Sequence, residues 1–102
     1  MLDLIEQHRG ELEKLCCHYH VRSLELFGSA ADGTFDPAHS DLDFLLEFLP
    51  DAPARIFGGY FDLKFDLERL FGRKVDLVMP QAVRNRFFLQ AVNRQRKLVY
   101  AA

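Results

Sequence analysis

The chain has 102 residues, 49% of them hydrophobic, which suits one compact domain over residues 1–102 with a buried core. Its 13 Lys and Arg against 15 Asp and Glu leave a formal charge of −2, so no strong pull toward nucleic acid or a membrane surface is expected. No apolar run approaches the roughly 20 residues of a membrane span, the acidic start Met1-Leu2-Asp3-Leu4-Ile5-Glu6 lacks the basic region of a signal peptide, and the adjacent Cys16 and Cys17 offer no disulfide framework; a cytoplasmic protein is the expectation.

Leu2 to Tyr19 reads as an amphipathic helix. Ile5, Leu12, Leu15, Cys16 and Tyr19 recur at helical spacing, with Glu6, Arg9, Glu13 and Lys14 facing away; Gly10 weakens it slightly. The run Cys16-Cys17-His18-Tyr19-His20 lacks the ligand spacing and the second ligand pair of a zinc site, so packing at a helix end is its reading. Val21 to Phe27 reads as a strand ending at Gly28, and Ala30 to Ser40, with Gly33 and Pro37, as a short helical turn and then a loop. Asp41 to Phe48 is a strand rich in Leu and Phe, and Pro50 to Pro53 a turn.

A second long helix runs from Arg55 to Phe71, or from Tyr60 if Gly58-Gly59 spoils its first turn, and Gly72 fits the left-handed position that stops it. It carries two apolar stripes. Tyr60, Leu63, Leu67 and Leu70 form one; Phe57, Phe61 and Phe65 form the other. One should cover the sheet, and the other lies under the first helix or on a partner surface. Val75 to Met79 is a strand closed by Pro80, Gln81 to Arg94 a third helix, and Lys97 to Tyr100 an edge strand. Arg84, Arg86, Arg94, Arg96 and Lys97, interleaved with Phe87 and Phe88, make the last segment basic. The near-neutral whole argues for a solvated helix face there and against nucleic-acid binding. The order α-β-α-β-α-β-α-(β) predicts an α/β fold, a small mixed sheet with helices packed against it.

Leu26-Phe27-Gly28-Ser29 and Asp41-Leu42-Asp43 carry the chemistry. Side chains alternate along a strand, so Asp41 and Asp43 should share a face. Paired carboxylates can hold Mg²⁺, which takes oxygen ligands and commonly bridges to phosphates. The Gly28-Ser29 turn offers backbone N–H groups and a hydroxyl to an anion. Asp76 stands in the apolar run Val75-Asp76-Leu77-Val78, and a lone charge there is costly unless paired or metal-bound. Three strand-borne carboxylates can build a two-metal site. A phosphate cradle beside metal carboxylates reads as nucleotide chemistry.

Gly-Ser, a spacer, Asp-x-Asp and a later Val-Asp-Leu-Val resemble the nucleotidyltransferases related to DNA polymerase beta. In its short length the chain is similar to the minimal nucleotidyltransferase (MNT) branch, and the resemblance covers nearly the whole chain. It implies a nucleotidyltransferase fold in which Gly28 and Ser29 hold the triphosphate, Asp41 and Asp43 bind Mg²⁺, and Asp76 helps bind a second Mg²⁺ and activates the acceptor hydroxyl. The implied reaction is transfer of AMP from ATP with release of pyrophosphate. MNT relatives pair with a helical HEPN-type toxin, which implies an antitoxin that adenylylates a tyrosine of that partner. With no acceptor domain, the acceptor must dock from outside or share the interface of a homo-oligomer. The alternatives are a non-catalytic binding module that neutralises its partner by contact, and a nucleotidyltransferase acting on a small molecule. Two departures stand out. The eleven-residue spacer after Ser29 is one longer than is common in the family, which a loop absorbs easily. Asp32 stands where relatives often have Arg; if that Arg aids the triphosphate, Asp32 should weaken binding or change specificity, and if it only ties down the loop, little is lost. His39 and Ser40, just before Asp41, are read as bracing the loop.

Overall fold

The computed structural model describes residues 3–50, 56–80 and 83–102, with backbone only for 56–58. Its elements are α1 (Asp3–Gln7), α2 (Arg9–His18), β1 (Val21–Phe27), α3 (Ser29–Asp32), β2 (Leu42–Phe48), α4 (Ile56–Phe71), β3 (Val75–Val78), α5 (Arg86–Gln95) and β4 (Lys97–Ala101). The sheet order is β3-β2-β1-β4. β1 pairs antiparallel with both β2 and β4, while β2 pairs parallel with β3. This is the mixed sheet with helices expected for the nucleotidyltransferase fold. A parallel pair needs a long crossover, and α4 lies within the one between β2 and β3. Gly72, at φ +64°, ends α4, and its N–H donates to Glu68 O at 2.8 Å.

The sheet is covered unequally. Leu24, Leu26, Leu42, Phe44, Leu46, Val75 and Leu77 join Ile5, Leu12 and Cys16 from the first two helices and Leu63, Leu67 and Phe71 from α4 in one core cluster. Fully burying each such side chain contributes about 1.5–3 kcal/mol. A second, small cluster joins Phe27, Leu45 and Val92, with Val78 against it. Leu45 directly follows Phe44 and Val78 directly follows Leu77, both members of the first cluster. Alternation therefore puts the second cluster on the opposite face, under α5.

The first helix is broken at His8, which separates α1 from α2. The His8 ring Nδ1–H donates to Leu4 O at 2.9 Å, taking the carbonyl that an unbroken helix would bond to the His8 amide. That amide bonds Ile5 O at 3.2 Å instead, a tighter turn. Arg9 then pairs with Glu6 at 2.7 Å and donates to Val99 O at 2.9 Å, tying the break to β4. At the helix end Cys16 is buried and Cys17 exposed. Burial pushes the Cys16 thiol up to about 12.

Other boundaries shift. β2 begins at Leu42, so Asp41 stands just before the strand, and β3 ends at Val78. The third helix starts at Arg86 because Asn85 caps it, its side chain accepting from the amides of Phe87 at 3.0 Å and Phe88 at 3.2 Å. α4 is helical through Gly58-Gly59 from Ile56 onward. The expected helix residues Leu2, Arg55, Gln81 and Ala82, the 51–53 part of the turn and the Phe57 side chain lie outside the described residues. Among the described residues no helix is long and apolar enough to cross a membrane.

Candidate active site

Asp43 and Asp76 are direct neighbours across the parallel β2–β3 pair, and Phe27 of β1 lies opposite Asp43 on its other side. Their side chains open into a cleft of about 330 Å³ whose lining includes Phe27, Tyr60, Lys64 and Phe88. Burial raises Asp43 most, and the charge of Asp76, a hydrogen bond shared with Asp76 and the charge of Asp41 add to it, taking its carboxyl up to about 6. Two like charges on adjacent strands are otherwise destabilising. Such a pair is held either by sharing a proton or by a cation.

Gly28 closes the end of β1 at φ +68° and ψ −148°. A Cβ placed there would come within 2.5 Å of Asp43 Oδ2. Both the backbone conformation and the closeness of the carboxylate therefore call for glycine. Ser29 opens α3, whose first amides have no helical carbonyl to bond. The turn and the carboxylate pair are thus in direct contact, although fourteen residues of chain separate Gly28 from Asp43.

Asp41 is half-buried and near enough for its charge to act on Asp43. Among the described residues, no three His, Cys, Asp or Glu side chains gather closely enough to close a metal site. The structure therefore brings Asp43, Asp76 and Gly28 together, with Ser29 next to Gly28, and leaves Asp41 at the rim. The all-oxygen donor set is the kind that magnesium takes, and the pressed-together pair is one that a divalent cation would relieve.

The loop before β2 is tied by its own side chains. Asp36 N–H donates to Ser40 Oγ at 2.9 Å, and His39 Nδ1–H donates to Asp36 Oδ2 at 2.8 Å. His39 and Ser40 are braces, as expected. Arg73 donates to Ser40 O at 3.3 Å, and its guanidinium lies 4.9 Å from the centre of the Phe35 ring.

Tyr60, Lys64 and Phe88 were not among the expected site residues. Tyr60 and Lys64 are one helical turn apart and share a face of α4, and the Tyr60 hydroxyl donates to Leu77 O. Phe88 reaches the cleft because the Asn85 cap starts α5 where it does, and its ring meets Phe27 edge-on at 5.9 Å. The sequence signal for Phe88 is the Asn85 cap three residues before it.

The family model described as a nucleotidyltransferase domain matches residues 6–100. A Methanocaldococcus jannaschii protein provisionally named a protein adenylyltransferase is 32% identical over 100 residues, which cover 96% of this chain and 91% of that protein. A solved structure provisionally described as a minimal nucleotidyltransferase aligns with a TM-score of 0.74 at 28% identity, covering 94% of this chain and 95% of the other. The solved structure of the tri-AMPylated Shewanella oneidensis HEPN toxin in complex with MNT antitoxin contains a chain that aligns with a TM-score of 0.64 at 18% identity, over 96% of this chain and 73% of its own length. The last is a likeness of fold.

Proposed function

Because this chain belongs to the nucleotidyltransferase domain family, in its minimal branch, we propose that it transfers AMP from ATP, with magnesium, to a tyrosine hydroxyl of a HEPN-type toxin and so acts as the antitoxin. The chain is an enzyme of the nucleotidyltransferase type; the donor, the metal, the acceptor and the residue roles are the proposal. The observation that carries it is the Asp43–Asp76 pair on adjacent parallel strands, with Gly28 against Asp43.

Asp43 and Asp76, with Asp41 near them, would hold magnesium. When bound, that ion supplies positive charge to the phosphates and lowers the pKa of a coordinated hydroxyl. Gly28 and Ser29 would receive the phosphate chain on backbone amides and the Ser29 hydroxyl. The acceptor oxygen would form its bond to the α-phosphorus as the bond from that phosphorus to the β-phosphate bridging oxygen breaks. Pyrophosphate leaves, and the hydroxyl proton passes to Asp76. Positioning and charge stabilisation would supply most of the rate, and no histidine base is required. The adenylylated HEPN toxin beside an MNT chain of the same fold supports the acceptor class.

The test is label transfer from MgATP carrying either α- or γ-phosphate label, in native extract and then with purified partner. A protein band labelled only from the α position, and lost in Asp43→Asn and Asp76→Asn, is the expected outcome. Label from the γ position would replace this reading with phosphoryl transfer.

A second reading, neutralisation by contact alone, is favoured by Phe61 and Phe65, which stand 57% and 54% exposed on α4. It expects Asp43→Asn/Asp76→Asn to protect cells from the partner as well as the wild type does. Transfer-dependent protection excludes it.

A further inference from the structure

Helix α4 presents three faces with different surroundings. Leu63 and Leu67 are fully buried, and Phe61 and Phe65 are in solvent. Tyr60 and Lys64, four residues apart and on one stripe, line the cleft that holds Asp43 and Asp76. The Tyr60 hydroxyl bonds the carbonyl of Leu77, the residue after Asp76. That bond ties α4 to β3 one turn before the half-buried Lys64, which lines the same cleft.

The protein lining of the cleft is short of positive charge. Asp43, Asp76 and the nearby Asp41 are acids, and a nucleoside triphosphate brings further negative charge. The short helix after Gly28 offers none: its charged residue is Asp32, which is exposed and turned onto its own loop. Asp32 Oδ1 accepts from Thr34 N–H at 2.9 Å and from Thr34 Oγ1 at 2.5 Å, and these bonds hold its carboxyl below the usual range. Among the described residues lining the cleft, Lys64 is the one cation.

We infer that Lys64 is a phosphate-binding residue, its ammonium holding the β- and γ-phosphates of the incoming nucleoside triphosphate and then the departing pyrophosphate. A lysine suits this work as a compact charge on a flexible stem, which can follow the phosphates as they separate. The inference rests on the nucleotidyl-transfer reading and adds to it the residue that distinguishes a triphosphate from a monophosphate.

The experiment measures binding of AMP-PNP, AMP and pyrophosphate, each with magnesium, to wild type, Lys64→Met and Lys64→Arg, together with KM for ATP. Lys64→Met should weaken AMP-PNP and pyrophosphate about tenfold or more and AMP by no more than about twofold, a loss of roughly the size expected for one charged contact. Lys64→Arg should recover AMP-PNP binding to within about threefold, because charge at that position is what counts. Equal weakening of AMP and AMP-PNP, or no change in either, overturns the inference while leaving nucleotidyl transfer standing. If wild type binds none of the three and transfers no label, the transfer reading fails and this one with it. Thermal melting checks each variant, and Lys64→Gln replaces Lys64→Met if the latter does not fold.

Discussion

β2 has two faces with opposite contents. Leu42, Phe44 and Leu46 point into the large core and are fully buried. Asp43 and Leu45, between them, point to the side where α5 and a small apolar cluster lie. One strand thus carries the centre of the core and the centre of the candidate site, one residue apart. Because the core face has apolar partners from four helices, the other face can keep two acids pressed together and a cleft open. Substitutions on the two faces should therefore separate stability from chemistry. Asp43→Asn and Asp76→Asn should each lower label transfer by about 10³-fold or more while the chain stays folded, since they remove charge from the reacting centre. Phe44→Ala should cost about 3–5 kcal/mol of stability, yet its folded fraction should keep its transfer activity. Denaturation curves beside label transfer per folded molecule read both. An unfolded Asp43→Asn, or a well-folded but inactive Phe44→Ala, would break the comparison.

Two glycines sharpen it. Gly28 and Gly33 flank α3, and both have positive φ, +68° and +85°. Placing an L side chain in such a conformation costs about 1–3 kcal/mol. A Cβ on Gly33 would meet nothing within 4 Å, whereas one on Gly28 would run into Asp43. Gly33→Ala should therefore lose stability alone. Gly28→Ala should lose a similar amount and at least about tenfold of transfer as well, because Asp43 must move. Equal activity in the two variants would mean that the contact with Asp43 is immaterial.

The parts of this arrangement that were legible in the sequence are the ones set by local rules. The strand ending in Gly28, the strand carrying Asp43, the strand carrying Asp76 and the stop at Gly72 each follow from alternation or from glycine's backbone freedom. The break at His8 was not legible, because it depends on a ring taking the Leu4 carbonyl and on Arg9 reaching β4 ninety residues away. Asp41 was read as a strand residue because period-two alternation continues through it, but β-ladder pairing begins one residue later, where Leu42 N–H meets Lys74 O at 3.1 Å. Lys64 and Phe88 were invisible as site residues for a different reason. Each looks like an ordinary helix-face residue until the packing of α4 and α5 against the sheet brings it to the lining of the cleft.

The acid pair also predicts a pH dependence. Asp43 has a folded pKa of about 6 against an ordinary value of 3.8, so the folded chain binds its proton more tightly than the unfolded chain does. The penalty for holding it charged is absent below the unfolded value and grows as pH rises through the folded one. Asp43→Asn removes that penalty. Its benefit, discounted because the carboxyl is partly open to solvent, is on the order of 1 kcal/mol. At pH 7.5 without divalent ions, the variant should thus melt about 4–8 °C above wild type, and the gap should close as pH falls toward 4. Magnesium at pH 7.5 should raise the wild-type Tm and leave Asp43→Asn nearly unmoved. A gap that widens toward low pH would reverse the assignment of Asp43 as the raised group.

The smallest effect concerns the outer face of α4. Phe61 and Phe65 are 57% and 54% exposed, while Leu63 and Leu67 on the same helix are at 0%. Leu67→Ala should therefore cost about 2–5 kcal/mol, whereas Phe61→Ser/Phe65→Ser should stay within about 0.5 kcal/mol of wild type at each site. This contrast repeats, within a single helix, the division seen across β2. A helix needs one apolar stripe to dock on its sheet, and here Leu63 and Leu67 supply it. The two phenylalanines add little to docking, so the isolated chain should fold as well without them and, with less apolar surface in water, should associate less at high concentration. Urea denaturation and light scattering of the double variant measure both. A loss above about 2 kcal/mol would mean that this face packs against something in the chain's own folded state and that α4 has two structural faces.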